Sequence, residues 1–137
     1  MSKLSAFLHP VTVRQEKEFV LSKRFVNEDG SPAKVRIRSL TQAENEKLRK
    51  LCTKTIKGTE HFDADEYGHR LIVAATIEPD FSSKEMCEAV GAADPAMIPA
   101  HIFTAGEYAR LSQEIMKLCG FDETPEGEAA IEEAVKN

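Results

Sequence analysis

The stretch FTAGEYARLSQEIMKLCGFDE, residues 103–123, carries the feature that most restricts how this chain can fold. Thr104 and Glu107 form a capping box that opens a helix, and Gly120 is placed to close it. With Tyr108 at zero and about 100° per residue, the apolar positions Tyr108, Leu111, Ile115 and Leu118 continue into Ala105, Ala109, Met116 and Cys119. Together they fill an arc of about 180°, against about 100° for a helix that covers a core on one side. Such a helix must be buried on two flanks. The Tyr108/Leu111/Ile115/Leu118 flank has the spacing of a helix–helix seam, and the other is small and adaptable. Two readings follow: both flanks pack within the chain, or one is given to another copy or a foreign helix.

The remaining pattern supplies what could lie against it. EKEFVLSKRFV, residues 16–26, is rich in β-branched and aromatic residues, and NEDGSP follows as a turn cluster. AKVRIRSL then alternates, with Val35 and Ile37 on one face and Lys34, Arg36 and Arg38 on the other. This predicts a β-hairpin that needs a support, because two strands alone are marginal.

Thr41 and Glu44 cap a helix whose buried stripe is Leu48, Leu51 and Cys52, and residues 53–63 read as a polar loop. A helix over residues 65–78 contains LIVAATI, apolar on all sides, and stops before Pro79. Ser82 and Glu85 cap a short helix ending near Gly91, and Asp94-Pro95 starts another. Thr124-Pro125 starts a last helix with a thin stripe of Ala130, Ile131, Ala134 and Val135. The expected class is α+β in a single domain, 1–137: an N-terminal segment, 1–40, with the hairpin, then a helical body, 41–137, of about five helices. The apolar fraction of 42% suits a core of that size, and no run reaches the length of a membrane span. With no secretory leader pattern, a soluble, unexported protein is expected.

Chemistry is sparsely signalled. Three cysteines, an odd number and widely spaced, make neither a disulfide framework nor a zinc ribbon. HFDADEYGH, residues 61–69, concentrates histidines and carboxylates, but the spacing forms no zinc motif and lacks the Gly and closing Glu of a calcium loop. Asp63 or Asp65 as a helix N-cap accounts for the acids without a metal. No nucleophile elbow and no phosphate loop occurs, so no catalytic residue and no cofactor is expected.

The net charge of −5 conceals a division: residues 1–57 hold 13 Lys/Arg against 6 Asp/Glu, and residues 58–137 hold 5 against 17. That division predicts internal complementarity or contact between copies. Nucleic acid is disfavoured, because the basic strand carries no aromatic and the acidic half repels phosphate.

SAFLHP, VLSKRFVNEDGSPAKVRIRSLTQAENEKLRKLCTK, RLIVAATIEPDF, GEYARLSQEIMKLCGFDE and the charged end EEAVKN, in this order, resemble the XkdN-like family of phage tail assembly chaperones. The resemblance spans nearly the whole chain and includes no catalytic signature. It implies a non-enzymatic protein of a phage or prophage, working in the bacterial cytoplasm. Its client would be the tape measure protein, whose apolar helical segments it would keep soluble until tail-tube subunits displace it. A longer, frameshifted form is a further partner that the resemblance allows, and the opposite charge of the two halves allows self-association along the client. Tyr108, Leu111, Ile115, Leu118 and Phe121, with Ile131 and Val135, are the residues nominated for client or self contact. The rival expectations are a structural tail component kept in the virion and a nucleic-acid-binding regulator using the basic half.

Overall fold

A computed structural model describes residues 3–9 and 15–121. The class is mixed helix and strand, with the N-terminal hairpin expected from the sequence. Helix α1 (Lys3–Leu8) precedes strands β1 (Glu16–Phe19) and β2 (Val35–Arg38), which pair antiparallel from Glu16↔Arg38 to Phe19↔Val35. Alternation places Val35 and Ile37 inward, and both are buried. The outward Lys34 meets Glu18 across the pair at 3.5 Å. NEDGSP does form the turn: Gly30 takes a φ of +86°, and the Asp29 carboxylate accepts from both the amide and the hydroxyl of Ser31. Val26 and Pro32 make an isolated bridge beside it. Between bridge and sheet the first leg leaves the ladder, and Leu21 turns into the core.

The capping box at Thr41 and Glu44 opens helix α2 (Gln42–Leu51) as expected. Its buried face is Asn45, Leu48 and Cys52, however, and Leu51 stands 59% exposed, about 100° round the helix from Cys52. Asn45 is satisfied there by the Tyr67 hydroxyl, which donates to its side-chain oxygen. Residues 53–63 are largely a second hairpin rather than a loop: β3 (Thr53–Ile56) pairs with β4 (Thr59–Phe62) through the turn Lys57-Gly58. Both turn residues have positive φ, 51° and 79°, as a tight two-residue hairpin turn requires.

Helix α3 (Ala64–Ala75) is N-capped by Asp63, whose carboxylate accepts from the Glu66 amide at 3.0 Å. It ends three residues earlier than the sequence suggested. Residues Thr76–Glu78 form strand β5, antiparallel to β2, giving a sheet of order β1-β2-β5 with β2 central. Helix α4 (Lys84–Val90) takes Ser83 rather than Ser82 as its N-cap, and Gly91 closes it at a φ of +75°. A 3-10 turn (Pro95–Met97) leads into α5 (Ile98–Ile102), and α6 (Ala105–Cys119) runs between the Thr104/Glu107 capping box and Gly120. The core joins Leu21, Val35 and Ile37 from the hairpin with Leu71, Ile72 and Ala75 of α3 and with Phe81, Ile98, Leu111 and Ile115.

Arg38 also donates to both oxygens of Glu44, tying the sheet to the start of α2. That guanidinium, with the Thr41 amide, holds the Glu44 carboxyl down at about 2, from an ordinary value of 4.5. A depressed carboxyl contributes stability above its unfolded value, and the contribution is lost as pH falls through 4.5 toward 2. Glu44→Gln is therefore expected to lower the urea midpoint at neutral pH, with the deficit closing across that acidic window. A deficit that is the same at pH 7 and near pH 2 would assign the effect to side-chain shape instead of charge.

Candidate functional site: an apolar groove between hairpin and helices

The wide arc of α6 is used by the chain's own interior. Leu111 and Ile115 are fully buried, and Tyr108, Met116, Leu118 and Cys119 pack against the same core. Tyr108 meets His69 edge-on, and its hydroxyl lies 2.7 Å from His69 Nδ1. Burial pushes the Tyr108 phenol above its ordinary value. Phe121 is the nominated residue of this helix region with half its surface in solvent, while Ile131 and Val135 lie outside the described residues. Leu111 and Ile115 therefore reach a partner only if the fold opens.

An open apolar surface lies elsewhere. A groove of about 610 Å³ runs between the hairpin and the α4–α5 region. Leu21, Val35 and Phe103 contribute to it from the core, Phe25, Val26 and Ala33 from the hairpin, and Met86 and Ile102 from the helices. Val26 stands 61% exposed at its edge. Phe103 anchors the aromatic side, with Phe25 at 5.7 Å and the fully buried Phe81 at 5.9 Å, both edge-on.

Arg24 fixes the hairpin wall. Its guanidinium donates to both Glu107 oxygens, at 2.9 and 2.6 Å, and to the Ile102 carbonyl at 3.0 Å, and it lies over the Phe25 ring. Glu107 is thus shared between the capping box and the groove wall, and the Arg24 guanidinium holds its carboxyl well below the usual range. Lys17 with Glu114 makes a second link from the basic N-terminal half to the acidic half, and Arg36 approaches Glu78 on β5. Part of the charge division in the sequence is therefore internal complementarity.

The groove lining is largely apolar, with Arg24, Lys34 and Glu78 also on it, and it contains no nucleophile–base pair. Among the described residues no group of His, Cys, Asp and Glu could hold a metal ion, and no helix is long and apolar enough to cross a membrane. His61 is exposed, and Asp63 serves as the cap described above.

Comparison with known proteins decides the family. The description "Phage XkdN-like tail assembly chaperone protein" belongs to a family whose profile matches residues 4–135. The chain belongs to this XkdN-like family. Two relatives from Bacillus subtilis (strain 168) are each 31% identical over 141 residues, which cover 98% of this chain and 93% of the relative. One is the phage-like element PBSX protein XkdN and the other is YqbN, an uncharacterized protein. The fold is similar to the crystal structure of YqbN, with a TM-score of 0.77 and 28% identity over 89% of this chain and 99% of that one. Members of the XkdN-like family are phage tail assembly chaperones, a generally non-enzymatic role.

The groove was not nominated from the sequence. Its lining comes from residues 21–35, 78–79, 86 and 102–103, which no local periodicity connects. A weak signal was present in the methionines: Met86 lines the groove and Met97 is 61% exposed, whereas Met116 packs against the core.

Proposed function

We propose that this chaperone binds the tape measure protein of its phage or prophage and keeps it soluble in the host cytoplasm until tail-tube subunits assemble around it. The observation that carries this reading is the open apolar groove walled by Phe25, Val26, Met86 and Ile102 on a member of a tail assembly chaperone family. A long chain with exposed apolar stripes aggregates unless they are covered, and an amphipathic helix laid into a groove is an established way to cover them. Methionine in the wall suits a surface that must accept many similar segments. Release by the assembling tube requires that each contact be modest, with repeated engagement along the client supplying the hold.

Co-expression with a tape-measure fragment from the same genome tests the reading. The expected result is a higher soluble yield of the fragment and a co-eluting complex in size-exclusion chromatography, with the chaperone absent from finished particles. A fragment that stays insoluble beside abundant folded chaperone would contradict it. Stoichiometric presence of the protein in purified virions would favour a structural tail component.

A further inference from the structure

Several cations of the basic half are paired: Lys17, Arg24, Lys34, Arg36 and Arg38 each meet a carboxylate. Those of residues 47–57 are not. Lys47, Arg49, Lys50, Lys54 and Lys57 are all exposed, and none forms an ion pair among the described residues. Apolar side chains stand among them: Leu51, Ile56 and Phe62 are 59%, 54% and 41% exposed, with Arg49 lying over the Phe62 ring. The β3–β4 hairpin is exposed along nearly its whole length, and two strands without support are marginal in water. Something should cover this face.

The end of α6 meets the chain just before α2 begins. The Leu40 amide, just before α2, donates to Cys119 Sγ at 3.4 Å, and Phe121 follows two residues later. Residues 122–137 hold six acids and one lysine. Ile131 and Val135 are four apart and share one helical face in the sequence pattern, with Glu132 and Glu133 turned away from its centre. The ten residues of α2 span about 15 Å, a distance that 16 residues cover even at the helical rise of about 1.5 Å each.

We propose that residues 122–137 of this same chain dock across α2 and the β3–β4 hairpin, their acids facing the unpaired cations and their Ile131/Val135 stripe covering Leu51 and Ile56. The pairing matches the charge of each side and its apolar content, and it needs no partner from outside. It also completes the division of charge in the sequence, whose acidic excess is densest in this segment. The inference stands apart from the groove and from the identity of the client.

The chain contains no tryptophan, so one introduced indole reports alone. In the full chain, Leu51→Trp is expected to emit at short wavelength and to resist acrylamide quenching severalfold better than an indole in water. Adding Ile131→Asp and Val135→Asp should return it to a water-exposed signal while far-ultraviolet circular dichroism stays close to the parent's. Ile56→Trp provides the same readout if Leu51→Trp does not fold. Water-like emission at both positions with the native tail, or a protected signal unaffected by the tail substitutions, would overturn the proposal. Protection that disappears on dilution would assign the covering segment to a second copy and overturn the intrachain docking.

Discussion

Leu111→Ala is expected to cost about 2–5 kcal/mol of folding stability, a large share of what a domain of this size has. Leu111 is fully buried on α6 and belongs to the cluster that joins the helix to α3 and to the central strand. Truncation removes favourable transfer from water and leaves a cavity that a close-packed interior only partly closes. Urea denaturation of parent and variant measures the loss; a cost below about 1 kcal/mol would mean that α6 is not clamped as described. Leu111→Asp, which strands a charge in the same place, is expected to abolish the fold. Neither substitution can report on partner binding, because the interior fails first.

Val26→Asp should behave in the opposite way. Val26 is 61% exposed at the groove edge, so the change is expected to move stability by no more than about 0.5 kcal/mol. A carboxylate facing an apolar helix is costly to desolvate. A penalty of about 2 kcal/mol or more corresponds to about a 30-fold loss of affinity for a tape-measure fragment. Soluble yield of the co-expressed fragment should then fall to the level seen without the chaperone, although the variant melts like the parent. Undiminished rescue by folded Val26→Asp would exclude this edge of the groove from client contact.

The elements legible in the sequence were those whose signal is local. The capping boxes at Thr41/Glu44 and Thr104/Glu107, the αL glycines at 91 and 120, and the Val35/Ile37 alternation each involve a few neighbouring residues and occur as expected. Strand β5 was hidden because LIVAATI is apolar throughout, and such a run does not by itself separate helix from strand. The choice is made by β2, whose Arg36 and Ile37 pair with Glu78 and Thr76. The second hairpin was hidden because its strands are polar, and Lys57 occupies a left-handed turn position where Asn or Gly is the usual signal.

The functional surface was less legible than the fold. Periodicity showed that α6 must be covered on two flanks, but it carries no information about whose atoms do the covering. The structure supplies them from within, through α3, β2 and their neighbours. The groove depends on Arg24 reaching Glu107, a contact across 83 positions of sequence, and on Phe103 meeting both Phe25 and Phe81. Contacts of that range leave no pattern in a single sequence.

A photo-crosslinking side chain placed at Val26, in cells that also express the tape-measure fragment, tests the groove as the client site most directly. The same group at Lys57, on the tip of the second hairpin, serves as the comparison. The account predicts a crosslinked product with the fragment from position 26, at a yield well above that from position 57. Efficient capture from position 57 with none from position 26 would contradict it and move the client to a different face of the molecule.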